Sequence, residues 1–352
     1  MIDSASGSAL AGAKFNFEVL PAGSGFPLRL QLTVYDRIPH KLRREDLLDA
    51  FGRLLLGFGG EIALGGHSRR GLGRGGVKDW TVRRFGMAQR TDALAWLEHR
   101  GWGGGGDLTI EQLLKSKPLP AADRLSIHLT LALKGPILIR GGVAGTGNPD
   151  VLQFREKGQA LIPGSSLAGA LRHRAERIAT KLWGAEASAE AVSELFGPMI
   201  EQTRKLRAGR LQVSEGVLRN GKLEVQSRVK IDRFTGGSIE TALFDEAPFW
   251  PDPSAASHCD FTIALDAESG PDRYLIALLL QTVKDLWLGD LPLGGEIGHG
   301  RGVLEGRKAT IRYAGSNDVT LTRTGQGGAV EVTGWNREWA DRVEGGLHGN
   351  RD

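Results

Sequence analysis

Apolar residues fall at every second position in Leu125, Ile127, Leu129 and Leu131, with serine, histidine and threonine between them. A period of two sends successive side chains to opposite faces of a strand, so this segment reads as a strand with one buried face. After a loop from about Arg140 to Ala160 the period lengthens. Leu167, Leu171, Ala175, Ile178 and Leu182 follow helical spacing behind Pro163, Gly164, Ser165 and Ser166, which supply turn residues and a serine N-cap. A second strand is predicted over Gly209–Val213, a third over Cys259–Leu265, a second helix over about Asp272–Trp287 and a last strand over Lys308–Tyr313. A long excursion, Gln226 to Pro253, interrupts the middle, and a glycine-rich turn, Leu293 to Gly302, feeds the last strand. Strand, helix, strand, strand, helix, strand is the order of an α+β, ferredoxin-like domain, here over residues 123–315.

The chain carries the second half of that pattern twice. Ile2, Asp3, Gly7, Ala13 and Phe15 match Ile231, Asp232, Gly236, Ala242 and Phe244 at a constant offset of 229 residues, from Asp3 to Asp232. The same offset relates Leu64-Gly65-Gly66, Gly71 and Gly73 to Leu293-Gly294-Gly295, Gly300 and Gly302. Matches at both ends without a net gap indicate a duplicated unit. Residues 1–85 are therefore expected to be the C-terminal half of a first unit, with a strand at Leu28, Leu30, Leu32 and Val34 and a helix over Leu47–Leu56. Nothing before this copy matches what precedes the second, so the chain is expected to start partway through a unit. Half a unit leaves a sheet edge and a helix groove open, and another chain or segment should complete it. Residues 86–122, with consecutive glycines at 103–106, read as a linker. Residues 316–352 read as a polar tail with Trp335 and Trp339 as docking residues.

With 352 residues and 40% hydrophobic content the chain can bury real cores. The 51 glycines are about twice the average share but show no short period, which excludes a collagen-like chain. Net charge is only +4, yet arginines are grouped at Arg43–Arg44, Arg69–Arg70, Arg83–Arg84 and between Arg172 and Arg177. Such grouping suggests a local anion-binding face. Cys259 is the only cysteine, which rules out an internal disulfide and a thiolate metal cage; it is expected to pack in a strand. No signal segment or membrane-length apolar run is seen, so a cytoplasmic protein is expected.

Three segments carry a family resemblance. Residues 161–172, with Pro163-Gly164-Ser165-Ser166 and Arg172, residues 230–237 followed by Ala242 and Phe244, and the loop from Gly294-Gly295 to Gly302 together resemble the RAMP superfamily, the RNA-binding proteins of CRISPR systems. They are most similar to the backbone subunit of type III effector complexes, and the two-unit arrangement resembles fused forms such as type III-D. The resemblance implies a guide-RNA-binding subunit that assembles with other effector subunits and meets complementary target RNA.

Physical chemistry assigns each segment a task within that picture. Ser165 and Ser166, with the amides of Leu167 and Ala168, are expected to hold a phosphate at a helix N-terminus, helped by Arg172. Gly294, Gly295, Gly300 and Arg301, and in the first unit Gly65, Gly66, Arg69 and Arg70, are expected to let backbone approach a ribose–phosphate chain. The excursion mixes Arg228, Lys230 and Arg233 with Phe234 and Phe244, as a thumb that wedges between bases does; Ile2 and Phe15 would belong to the matching thumb.

The resemblance also implies target-RNA cleavage by an aspartate in the first strand–helix loop with a divalent metal, Mg2+. Asp150 is the only acidic residue of that loop before Glu156, and is the candidate catalytic and metal-binding residue. Two other readings stay open: a non-catalytic scaffold, and a metal-independent guide-RNA-processing nuclease using His128, His173 or His299.

Overall fold

The computed structural model describes residues 19–35, 43–59, 62–66, 68–70, 72–98, 106–114, 124–141, 149–198, 208–266, 273–313, 316–325 and 327–347. Two compact units divide the chain.

The smaller, residues 25–68 and 72–121, contains α1 (Arg44–Gly59), β1 (Ile62–Ala63), β2 (Arg74–Gly75), β3 (Val82–Arg84), α2 (Arg90–Glu98) and β4 (Gly106–Leu108). Leu55 and Leu113 are buried, and Gly52 lets α1 come within side-chain contact of Leu113 and Leu114. Phe58 meets Trp80 edge-on at 6.0 Å. The stretch expected to be linker holds α2 and β4, so it is not bare chain; Lys115 to Pro120 lie outside the described residues.

The larger unit holds residues 122–352 together with two short earlier stretches. Its elements begin with β5 (Arg124–Leu133), β6 (Arg140–Gly141), β7 (Val151–Gln153), β8 (Arg155–Glu156) and β9 (Gln159–Ile162). Then come α3 (Gly164–Trp183), α4 (Ala185–Phe196), β10 (Leu211–Val213), β11 (Gly216–Val217), β12 (Gly221–Leu223), β13 (Gln226–Ile231), β14 (Ser238–Ala247) and β15 (Phe249–Pro251). β16 (His258–Asp266), α5 (Arg273–Leu288), β17 (Leu304–Arg312), β18 (Val319–Arg323), β19 (Val330–Thr333) and α6 (Arg337–Leu347) complete it.

Its main sheet runs β10-β16-β5-β17-β18-β19, and every neighbouring pair is antiparallel. β5 is the central strand, laddered to β16 on one side and β17 on the other. The alternation that marks β5 in the sequence is the burial pattern of the strand: Leu125, Ile127, Leu129 and Leu131 are buried, Arg124 and His128 exposed. α3 and α5 cover the buried face, with Leu167, Leu171, Leu278, Leu286 and Trp287 in one continuous core. Cys259 lies in that core, fully buried, and burial pushes its thiol well above the ordinary range.

Residues 316–347 are integral to this unit rather than a polar tail. β18 and β19 extend the sheet, Trp339 is fully buried and stacks on Trp335, and Trp183 Nε1 donates to the carbonyl of Leu347 at 3.0 Å. Alternation in Val319, Leu321 and Arg323 is too short and too polar on its own to read as a strand; the β17 edge supplies its partner.

The 229-residue offset of the sequence recurs in the backbone. α1 and α5 span equivalent residues end to end, and a 3-10 turn at Ser68–Arg70 corresponds to one at Ile297–His299. Leu64 N donates to Gly73 O at 2.9 Å, and Leu293 N donates to Gly302 O at 2.9 Å. Gly73 and Gly302 adopt φ of +67° and +75°, and a Cβ on either would sit 1.8 Å or 1.9 Å from the carbonyl oxygen of Leu64 or Leu293. Only glycine fits there.

The expected strand at Leu28–Val34 does not form; these residues are coil. The counterpart segment, β16, is held by β5, and the described residues of the smaller unit contain no equivalent of β5. Alternation marks a segment able to join a sheet, but a ladder needs a partner.

Candidate nucleic-acid interface

The 226–253 excursion is a hairpin whose tip is built to display a side chain. β13 and β14 pair antiparallel, with Gln226 opposite Glu246 and Val229 opposite Leu243. At the tip the Asp232 carboxylate accepts from the Thr235 hydroxyl at 2.7 Å and from the amides of Phe234 and Thr235 at 3.2 and 3.3 Å, which holds its carboxyl below the ordinary value. Gly236, at φ +68°, returns its amide to Asp232 O. Asp232 thus organises the turn. Phe234 projects from it 99% exposed, flanked by exposed Lys230 and Arg233, with Val229, Ile231 and Leu243 also in solvent. An exposed aromatic tip with cations beside it is an arrangement that can stack on a base while the cations hold phosphates. Phe244 is half-buried near the hairpin base and is not part of that tip.

The hairpin base is locked onto the glycine-rich loop by buried charge. Arg301 Nη1 stands 2.9 Å from Glu246 Oε2 and 2.8 Å from Glu296 Oε2, and its Nη2 donates to Gln226 Oε1 at 2.9 Å. Arg228 reaches the same two carboxylates at 3.1 Å each. Burial pushes the Glu246 carboxyl up, but a hydrogen bond from Glu296 and the two guanidiniums leave it below the ordinary value. Glu296 is pushed above it, first by burial and then by Glu246. Arg301, 2% exposed, is committed to neutralising these buried carboxylates, and Arg228 pairs with them while its side chain stays 29% exposed.

Gly294 and Gly295 are also turned inward. The Gly295 amide donates to Leu138 O at 2.7 Å, and a Cβ on Gly294 would come 2.6 Å from the same oxygen. These glycines allow the loop to close on the segment after β5. Gly300, at φ +79° with open space where a Cβ would be, keeps an unobstructed face.

At the start of α3 the N-cap is Pro163, not a serine, and no side chain caps the helix. The helix begins one residue before the serines because Pro163, fixed at φ −61° and ψ 141°, already sets the entry. Ser165 is exposed and Ser166 half-buried in the first turn. The Leu167 amide, expected to be bare, donates to Pro163 O at 3.2 Å. Arg172 Nη1 donates to Gly197 O, the C-cap of α4, at 2.9 Å, so part of its capacity goes to ending that helix.

Asp150 is exposed immediately before β7, which runs parallel to β14. Its Oδ2 accepts from the Asp245 amide at 2.9 Å, tying it to the hairpin base. Residues 142–148 of its loop lie outside the described residues. Among the described residues no group of three His, Cys, Asp or Glu is arranged to hold a metal ion.

In the smaller unit Gly65 and Gly66 have open space around them, unlike Gly294. Arg69, which groups with the larger unit, places Nη1 3.1 Å from Asp266 Oδ2. The side chain of Arg70, and Ile2 and Phe15, lie outside the described residues.

One surface escaped the sequence reading. The face of the main sheet opposite α3 and α5 is an open groove of mixed charge, lined by Lys308 and Arg312, by Glu215 and Asp260, and by the polar His128 and Thr262. The Thr130 hydroxyl donates to Asp260 across it at 2.7 Å. The signal was present in the polar half of each alternating strand, where aromatics are absent but cations and hydroxyls recur.

A protein-family model, the RAMP superfamily, matches residues 130–305, half of the chain. The chain belongs to the RAMP superfamily. The match runs from β5 through the hairpin and glycine-rich loop into β17, so all the geometry above except the smaller unit lies within it or beside it. No curated protein matches this RAMP chain. Family membership makes it a CRISPR-associated RNA-binding protein that works with CRISPR RNA and other effector subunits. No described helix is long and apolar enough to cross a membrane.

Proposed function

We propose that this RAMP protein is a guide-RNA-binding backbone subunit of a type III CRISPR effector complex, acting in the cytoplasm. Its larger unit is read as a ferredoxin-like RAMP domain, with strand order last-first-third-second in the main sheet, and its smaller unit as the second half of another. The observation that carries the reading is the hairpin: a fully exposed Phe234 preceded by exposed Lys230 and Arg233, on strands whose base is fixed by the Arg301–Glu246 pair. A rigid base under an exposed aromatic tip suits insertion between bases of a guide–target duplex, whereas a loop packed on its own core would hide the ring. The guide backbone would run across the polar sheet face beside Lys308 and past Gly300, contacts that carry no base information. Phe234→Ala in the assembled complex tests this. The reading expects guide RNA to stay bound while the displaced-base signal of a fluorescent analogue at the hairpin position disappears; an unchanged signal would refute it.

A second reading adds cleavage of the complementary RNA at Asp150. It is favoured by the place of that carboxylate beside the hairpin, where a displaced nucleotide would lie. Its Oδ2 is engaged by Asp245, so Mg2+ would have to arrive with RNA phosphate oxygens as its main ligands. Asp150→Ala should abolish one defined cut with guide binding intact; persistence of that cut would leave the chain a scaffold.

A further inference from the structure

We infer that the smaller unit is a receptor for a strand of a partner polypeptide, which it takes up as the central strand that β5 provides in the larger unit. This rests on reading the smaller unit as half of a repeat.

The template for the missing strand lies in the same chain. β16 and β17 never pair with each other; both ladder onto β5. Their counterparts at the 229-residue offset are the coil around Leu28–Val34 and the region of β2 and β3, and the described residues of the smaller unit offer them no shared strand. Burial at matched positions shows what is uncovered. Leu32, Leu54 and Leu64 are 36%, 49% and 47% exposed, while their counterparts Phe261, Val283 and Leu293 are 2%, 6% and 1% exposed. Three large apolar residues exposed where the repeat buries them are the footprint of an absent packing partner.

The glycine loop specifies the end of that strand. In the larger unit, Leu138 just beyond β5 accepts the Gly295 amide at 2.7 Å and lies against Gly294. Around Gly65 and Gly66, no described residue comes within 4 Å of where a Cβ would be. The occupant is therefore an extended segment the length of β5, about ten residues, apolar at alternate positions, followed about five residues on by a backbone carbonyl for the Gly66 amide. A strand addition of this kind gains main-chain hydrogen bonds on both edges at once. The strand–helix–strand half of another RAMP polypeptide has that form.

The test appends a second copy of residues 122–225 through a flexible linker ahead of Met1 of the full chain, and follows amide hydrogen exchange without RNA. The account expects residues 28–34 and Gly66 to slow at least about tenfold relative to the unmodified chain. The same fusion carrying Leu125→Asp, Ile127→Asp and Leu129→Asp in the appended copy should show no slowing. Unchanged exchange in the first fusion, or equal slowing in both, would overturn the inference, as would residues 28–34 already protected in the unmodified chain. Because no RNA is present, each of these results can occur whether or not the guide-binding reading holds.

Discussion

Arg301 and Glu246 form an ion pair from which water is excluded: Nη1 lies 2.9 Å from Oε2, with the two side chains 3% and 0% exposed. One residue belongs to the glycine-rich loop and the other to β14, so the pair fastens the hairpin to the loop. Removing the cation would strand Glu246 and Glu296 beside each other with only Arg228 between them. Arg301→Ala is expected to destabilise the larger unit by about 3–5 kcal/mol in denaturant unfolding. An arginine that merely bound RNA would leave unfolding unchanged and alter only affinity.

The same cluster gives a pH dependence of defined sign. Glu296 has a raised folded-state value, so the native protein keeps a proton that the unfolded chain releases near 4.5, and stability falls as pH rises through the window above it. Glu246 has a lowered value, so its contribution is present above 4.5 and fades as pH falls through the folded value. Glu296→Gln keeps a hydrogen-bonding side chain without the titration. Its melting temperature should therefore vary less than wild type between about pH 5 and about pH 7. Parallel curves would show that Glu296 does not carry the dependence.

Phe234 separates binding from folding. At 99% exposure its removal should leave thermal unfolding unchanged, while RNA affinity measured by titration with a guide–target duplex falls by about 1–3 kcal/mol, the usual worth of one stacked base. A drop in melting temperature would mean that the ring packs on the protein.

Two glycines of one loop should respond differently to the same change. Gly302→Ala would force a Cβ to 1.9 Å from Leu293 O at a φ of +75°, whereas Gly300→Ala, at φ +79°, meets open space. The second should cost only the left-handed backbone penalty, about 1–2 kcal/mol, and the first clearly more. Equal losses in unfolding free energy would contradict the close approach.

Much of the larger unit is legible in the sequence because burial and period coincide there. Leu125 to Leu131 and Cys259 to Leu265 alternate because one face of β5 and β16 lies under helices, and Leu167 to Ile178 mark the stripe of α3. α4 is not, although Gly184 and Gly197 bracket it and Ala191, Val192 and Leu195 fall on one face; its length is modest and its first turn is all small or acidic residues. Leu28–Val34 reads as a strand and is coil because a sequence records the capacity to pair and not the partner. The candidate site is legible in outline only. Phe234 can be read as a hairpin tip, but Arg172, Arg228 and Arg301 look the same in sequence as solvent-facing arginines. What distinguishes them lies far along the chain: Gly197 is 25 residues from Arg172, and Glu246 is 55 residues from Arg301.

The central claim is that this chain holds RNA through its backbone. The most direct measurement is the affinity of the purified protein for two CRISPR RNAs with unrelated spacers across a salt series, for wild type and for a Lys230→Ala, Arg233→Ala, Lys308→Ala variant. The account expects equal affinities for the two RNAs, a linear fall of log K with log salt, and a slope shallower in the variant by about 0.7 for each phosphate no longer neutralised. Affinity that depends on spacer sequence, or a slope the variant does not change, would contradict it.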